Sequence, residues 1–193
     1  MRILLLLGLL PLLAACRAEE EQAQKNAESY AQQAMQLYSN GCVANGADEA
    51  KITARAQEAK MQALSADEIQ KWGFEPAVRK AWGGHSPNGG RFLLAAGGQY
   101  CSVKARVADE AIVRRELMRL AEAGGGGLRA EPRGDLHTDA PFSLSQLAYA
   151  WNSEGSTNEW MLTATTSSAS EAPMQAALNM YVVPREITRA ISN

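Results

Sequence analysis

Apolar residues recur every three or four positions in two long stretches of the chain, as they do on the buried face of an amphipathic helix. The first stretch, 19–39, is rich in Ala, Gln and Glu, which favour helices. Its apolar face consists of Tyr30, Ala34, Leu37 and Tyr38. The second, 108–123, has a longer apolar face, made of Ile112, Val113, Leu117, Leu120 and Ala121. Both are predicted to be helices, and a weaker stripe predicts another helix over 48–64.

Apolar and polar residues alternate in several shorter stretches, with the period of a β-strand that buries one face. Segments 91–96 and 99–107 flank Gly97-Gly98, a pair typical of a tight hairpin turn. In the second segment Cys101 shares a face with Val103, so its side chain is predicted to point inward. The C-terminal third alternates in the same way over 147–151, 160–164 and 174–182.

This order of elements predicts an α+β fold. N-terminal helices are followed by the pattern β-β-α-β-β-β. We therefore expect an antiparallel sheet of about five strands with a helix packed on one face. The glycine-rich segment 83–90 is predicted to be a loop.

The first fifteen residues differ from the rest of the chain. One positive charge, at Arg2, precedes a short apolar run that ends in the small residues Ala14 and Ala15, as in a secretory signal peptide. The run is too short to span a bilayer, which takes about 20 residues. Pro11 also makes it a poor permanent helix.

The sequence Leu13-Ala14-Ala15-Cys16 resembles the lipobox of bacterial lipoproteins. The resemblance implies a diacylglyceryl group on the Cys16 sulfur and cleavage just before this residue, often followed by acylation of the new amino group. The alternative is an ordinary secretory signal with a chance cysteine near its cleavage site. Arg17 is not the aspartate that retains such proteins at the inner membrane, so the resemblance implies the outer membrane.

Three segments are therefore expected. Residues 1–15 form the cleaved signal peptide, residues 16–24 the lipidated N-terminus and its tether, and residues 25–193 a single globular α+β domain. No internal repeat or second domain is indicated in the sequence.

The other two cysteines, Cys42 and Cys101, form an even pair once Cys16 is assigned to lipid. Export would place them in an oxidising compartment, where one disulfide is the simplest interpretation. Two free buried thiols are the alternative.

Composition and charge argue against a nucleic-acid partner and against a transmembrane helix after the signal peptide. The chain has 19 Lys and Arg against 21 Asp and Glu, and loss of Arg2 would make it more acidic still, so a nucleic-acid partner is not expected. A hydrophobic content of 46% is typical of a folded chain. Beyond the signal peptide no apolar run is long enough for a transmembrane helix.

Candidate catalytic residues are few. His137 with Asp135 or Asp139, and with Ser143, would supply a Ser–His–carboxylate set, although loops rich in Ser and Asp produce such sets by chance. The metal motifs H-E-x-x-H and paired C-x-x-C are missing from the sequence, as is the G-x-S-x-G elbow. We expect no catalytic residue, no metal site and no cofactor. The run 124–127 of four glycines follows a helix and is interpreted as a linker.

Tryptophan is enriched at interaction hot spots. Trp82 precedes the glycine-rich loop and His85 lies within it, so these two residues are the predicted binding surface. The other tryptophans, Trp72, Trp151 and Trp160, are expected mainly in the core.

The body of the chain resembles a group of small proteobacterial envelope lipoproteins that have no assigned activity. The shared features are a helix ending near Cys42, the Trp82-Gly83-Gly84 loop, a hairpin containing Cys101, and an acid-initiated helix at 108–110. The resemblance extends to the segments 162–167 and 175–178. It implies the disulfide and a single domain, and it transfers no catalytic residue.

Two functions are therefore expected from different classes. The first is a membrane-anchored, non-enzymatic module that binds an envelope protein or a glycan, or that inhibits an incoming hydrolase. The second is an envelope-acting hydrolase that uses His137.

Overall fold

The computed structural model describes residues 10–186, with side chains from Arg17 onward. Four α-helices precede or interrupt the strands: α1 (Leu10–Gly41), α2 (Glu49–Glu58), α3 (Ala66–Lys71) and α4 (Glu110–Ala123), with a 3-10 turn at Val43–Asn45. The strands are β1 (Gln62–Ala63), β2 (Lys80–His85), β3 (Arg91–Gly97), β4 (Tyr100–Ala105), β5 (Arg129–Thr138), β6 (Leu144–Asn152), β7 (Asn158–Thr166) and β8 (Ala176–Pro184).

The strands form one antiparallel sheet in the order β1-β2-β3-β4-β8-β7-β6-β5. The α+β class and the N-terminal helices are confirmed, but the prediction of about five strands is wrong, since the described residues contain eight. β1 has two residues, too few to show alternation. β2 contains Gly83-Gly84, which was interpreted as part of a loop. In β5, Pro132 and a register shift before Gly134 interrupt the pattern.

Pro132 lies in the edge strand β5, where proline is tolerated because only one side of the strand is hydrogen-bonded to a neighbour. The register shift leaves Arg133 as the extra residue of a β-bulge. This bulge re-aims the Arg133 side chain toward Glu159 of β7.

Helix boundaries follow local capping chemistry. The Asp48 side chain accepts hydrogen bonds from two backbone N–H groups at the start of α2. The Asp109 side chain accepts one, from the Ile112 N–H group, at the start of α4. Ser65 and Glu68 form the reciprocal capping box of α3. Gly124, at φ +56°, ends α4 in the left-handed region.

Helices α1, α2 and α4 pack on one face of the sheet, which we call the helix face. α1 crosses β3 and β4, and α4 crosses the half made of β5, β6 and β7. The alternating inward residues of the strands pack against apolar residues of these helices. The largest fully buried apolar side chains are Tyr38, Ile52, Leu94, Val103, Val113, Leu117, Leu162 and Leu178.

The Sγ atoms of Cys42 and Cys101 lie 1.99 Å apart, at disulfide distance. Both side chains are fully buried, as the alternation predicted for Cys101. The pair joins the end of α1 to the start of β4. Beyond the other end of the same strand, the N–H group of Asp109, which caps α4, donates to the Ala27 carbonyl of α1. α1 therefore runs antiparallel to β4 and is tied to it at both ends.

α1 is continuous from Leu10 to Gly41, so the segment 16–24 that was predicted as a tether is helical. The side chain of Cys16 lies outside the described residues. Within residues 10–186, no helix combines the length and apolar character needed to cross a membrane.

Candidate functional site

Polar side chains collect on the sheet face opposite the helices, which we call the second face. Tyr100, Ser102 and Lys104 alternate with the buried residues of β4, while Asn179 and Tyr181 do so on β8. Because β4 and β8 are central neighbours, Tyr100 lies directly opposite Tyr181 and Ser102 opposite Asn179. Register alone therefore places two tyrosines and an asparagine side by side.

The segment 72–79 crosses part of the second face. The Lys104 Nζ atom donates to the carbonyls of Trp72 and Gly73, at 2.8 and 2.9 Å, and lies 4.4 Å from the centre of the Phe74 ring. Burial lowers the pKa of Lys104, against a smaller opposing effect of Glu75. Its positive charge is thus committed to holding this segment in place.

Gly97 allows the same segment to approach β3. A Cβ atom at this position would lie 1.9 Å from the Ala77 carbonyl oxygen, and the Arg79 N–H group donates to the Ala96 carbonyl beside it. The close approach forms one wall of a cleft.

We expect Gly97→Ala to lower the free energy of unfolding by about 1–3 kcal/mol, because backbone must move to admit the methyl group. Gly125→Ala is the matched control, since a Cβ there meets nothing within 4 Å. Chemical denaturation of both variants checks the prediction. Equal stabilities of the two variants would contradict the close approach.

The cleft has a volume of about 540 Å³. We call it the tyrosine cleft. Its polar and aromatic lining side chains include Glu75, Tyr100, Gln146, Thr163, Asn179 and Tyr181. Its size falls within the range of about 300–1,000 Å³ that is typical of ligand sites.

The two tyrosine rings stack, with centroids 6.2 Å apart and planes 26° from parallel. The Tyr100 hydroxyl donates to Asn179 Oδ1 at 2.8 Å, and Asn179 Nδ2 donates to Thr163 Oγ1 at 3.2 Å. From the helix face, the Tyr38 hydroxyl donates to the Asn179 carbonyl at 2.8 Å. Asn179 is therefore held from both faces of the sheet, and the cleft floor is pre-organised.

Ionisation of the cleft tyrosines is disfavoured. Burial raises the pKa of Tyr100 to about 12, and the negative charge of Glu75 adds to the shift. Burial, with Glu75, also raises the pKa of Tyr181. Both phenols stay protonated at neutral pH, so each presents a neutral hydroxyl to the cleft.

A larger groove, of about 770 Å³, lies between α1 and the start of α4. Its lining includes Glu20, four residues from Cys16, and several alanines. No aromatic side chain lines this groove, and it lies near Cys16, the predicted lipid attachment site. The tyrosine cleft is therefore the better candidate for a ligand site.

The structure does not place Trp82 on a surface. Its side chain is 6% exposed and packs in the helix-face core opposite Leu94, so the prediction of a binding surface at Trp82 is wrong. The reason is that Trp82 lies on the inward face of β2, a strand that was not predicted because Gly83-Gly84 was interpreted as part of a loop. His85, at the end of β2, is exposed.

The structure brings His137 close to a serine and a carboxylate. His137 Nδ1 lies 3.2 Å from Ser145 Oγ, and Nε2 lies 2.9 Å from Asp139 Oδ1. The predicted Ser143 makes no hydrogen bond to His137 in the described part of the chain. Asp135 is held instead by Arg114, at 2.7 Å to each carboxylate oxygen. The cluster is open to solvent, with 56% of His137 and 88% of Asp139 exposed.

A buried ion cluster lies near the β5 edge of the sheet. The Glu159 side chain is fully buried and accepts from Arg133 at 3.1 and 2.7 Å, while Arg185 Nε lies 3.8 Å away. Arg133 also pairs with Glu131 at 2.9 Å. Among the described residues, no group of three or more His, Cys, Asp or Glu side chains is arranged to hold a metal ion.

Sequence analysis missed the tyrosine cleft. The polar alternation of 100, 102 and 104 indicated an outward face, but nothing in the sequence showed that β4 pairs with β8. Comparison with protein-family profiles, with curated proteins and with solved structures finds no match to this chain. The site therefore takes no function from a relative.

Proposed function

We propose that this protein is a lipid-anchored binding module of the bacterial envelope, with a non-enzymatic role, and that the tyrosine cleft holds its ligand. The observation that carries the proposal is the stacked Tyr100–Tyr181 pair beside Asn179, which is fixed by hydrogen bonds from both faces of the sheet. A concave site with a few convergent, pre-oriented polar groups is the form that ligand sites take.

The anchor in this proposal is Cys16, on the resemblance of Leu13-Ala14-Ala15-Cys16 to a lipobox. Two or more acyl chains hold a protein stably at a membrane, whereas one holds it only marginally. Helix α1 then acts as the spacer. From Cys16 to Gly41 it rises about 37 Å, at about 1.5 Å per residue.

The cleft faces away from this anchor. Ala27, nearer to Cys16, contacts the end of β4 through Asp109, whereas Cys42 contacts its start. Tyr100 and the Gly98-Gln99 turn lie at that start, so the cleft lies toward the membrane-distal end of the sheet. A ligand that is not in the anchoring membrane can reach it there.

Hydroxyl-radical footprinting tests whether the cleft is occupied in the envelope. We expect Tyr100 and Tyr181 to be oxidised less in intact cells than in the purified lipidated protein, because a bound ligand shields them. Met118, exposed on α4 away from the cleft, is the control and should be oxidised equally in both samples. Equal oxidation of the tyrosines in cells and in purified protein would count against the proposal.

A second candidate function is hydrolysis by His137, which the hydrogen bonds to Ser145 and Asp139 favour. Two features weigh against it. A catalytic triad needs a carboxylate that is shielded from water to hold the imidazole, whereas Asp139 is 88% exposed. The ring also presents Nδ1 to the serine, while the triad template uses Nε2.

A fluorophosphonate reagent separates these two functions. If the protein is a binding module, Ser145 stays unmodified in both the wild type and His137→Ala. Labelling of Ser145 that is lost in His137→Ala would establish the hydrolase instead. Ser145→Ala serves as the blank.

A further inference from the structure

We infer that the tyrosine cleft binds an uncharged glycan, through contact of its sugar rings with Tyr100 and Tyr181. This inference rests on the proposed function, since it names the ligand class of the same cleft. It follows from the chemistry of the lining, the charge of the cleft and the pairing of the strands beneath it.

The lining combines aromatic surface with neutral hydrogen-bonding groups. A pyranose ring has an apolar face of C–H groups and a rim of hydroxyls that donate and accept hydrogen bonds. Tyr100 and Tyr181 offer a half-buried aromatic surface on which the apolar face can pack. The Gln146 amide and the hydroxyl of Thr163, next to the fixed Asn179, offer donors and acceptors to the sugar hydroxyls.

The charge of the cleft disfavours anionic ligands. Among the described residues that line it, none is Lys or Arg, and Glu75 contributes a negative charge. Lys104, a cation on the second face, is committed to the carbonyls of Trp72 and Gly73. A phosphate or a uronic acid would therefore enter without a counterion, whereas a neutral sugar needs none.

The strands beneath the cleft disfavour an extended peptide. Peptides that bind to sheets commonly add a strand at an open edge, through backbone hydrogen bonds. β4 is paired with β3 and β8, and β8 is paired with β4 and β7. Their backbone groups are used within the sheet, so recognition at the cleft has to come from side chains.

Saturation-transfer difference NMR on the full lipidated protein, in a detergent without a sugar headgroup, tests the inference. The probes are triacetylchitotriose and cellotriose, two uncharged trisaccharides that differ in their acetamido groups. We expect transfer to at least one of them, strongest at the ring C–H protons. Tyr181→Ala should weaken its binding at least tenfold, while Tyr181→Phe, which keeps the ring, should bind within about threefold of the wild type.

Met118→Ala, on the opposite side of the molecule, is the control variant and should bind like the wild type. The thermal midpoint of each variant checks that it is folded. Absence of transfer from the wild type to both trisaccharides, or equal binding by folded Tyr181→Ala, overturns the glycan inference. Protection of Tyr100 and Tyr181 in cells would then still support an occupied cleft, and loss of that protection after protease treatment would assign the ligand to a peptide.

Discussion

Replacing Cys42 and Cys101 together by alanine should lower the free energy of unfolding by about 4 kcal/mol. The two residues are 59 positions apart, and in the chain-entropy model a cross-link that closes a loop of this length removes about that much freedom from the unfolded chain. The cross-link also ties the end of α1 to β4, on whose other face the tyrosine cleft lies. Its loss therefore weakens the element that positions the cleft relative to the spacer helix.

Urea denaturation followed by circular dichroism measures this effect. With a urea dependence of about 2 kcal/mol per molar, the midpoint should fall by about 2 M. The wild-type protein under a reducing agent is the control, and it should unfold close to the alanine variant. A loss below about 1 kcal/mol in both samples would show that the two cysteines are not joined.

Arg133→Met should cost about 3 kcal/mol or more. Arg133 donates two hydrogen bonds to Glu159, whose side chain is fully buried. Removing one partner of a buried ion pair costs about 3–5 kcal/mol. We expect the lower end of this range, because Arg185, whose Nε atom lies 3.8 Å from the Glu159 carboxylate, still compensates part of the buried charge. Methionine preserves most of the apolar stem, so the effect isolates the guanidinium group.

Arg114→Met is the matched control. Arg114 also binds a carboxylate through both oxygens, but that carboxylate, Asp135, is 62% exposed. Exposed ion pairs contribute about 0–1 kcal/mol, so this variant should be nearly as stable as the wild type. If the denaturation curves of both variants shift equally, the burial of Glu159 does not increase the contribution of its ion pair to the free energy of unfolding.

The sequence predicted the elements whose signal is local. Helix α4 has an uninterrupted apolar stripe and begins at acidic residues, where the Asp109 side chain caps it. The hairpin of β3 and β4 followed from the Gly-Gly pair between two alternating segments, although Gly97 belongs to β3 and the turn is Gly98-Gln99. The inward direction of Cys101 followed from alternation. These features depend on a few neighbouring residues, so they can be predicted from the sequence without knowledge of the rest of the fold.

The missed strands depend on tertiary pairing. β2 contains Gly83-Gly84, which disfavours a strand by intrinsic preference, yet it is paired with β3 along its whole length. Trp82 was assigned to a surface for the same reason. A strand hidden by glycines gives no sign of which face each side chain takes, and the packing against Leu94 places Trp82 in the core.

The tyrosine cleft required knowledge of strand order. Tyr100 and Tyr181 are far apart in the chain and meet only because β4 and β8 are neighbours. Likewise, Glu159 lies in β7 among apolar residues and gave no sign of burial against Arg133 until the β5 bulge was visible. Sites formed by strands that are not consecutive in the chain cannot be predicted from one sequence, because they depend on the strand order.

We propose that a lipid at Cys16 holds this binding module at the membrane. The most direct test of this proposal is the mass of the N-terminal peptide from protein extracted from membranes, combined with fractionation of Cys16→Ser. We expect a chain that starts at Cys16 with a diacylglyceryl group, and a Cys16→Ser variant that is no longer retained in the membrane. An unmodified Cys16, or unchanged membrane retention of Cys16→Ser, would contradict it.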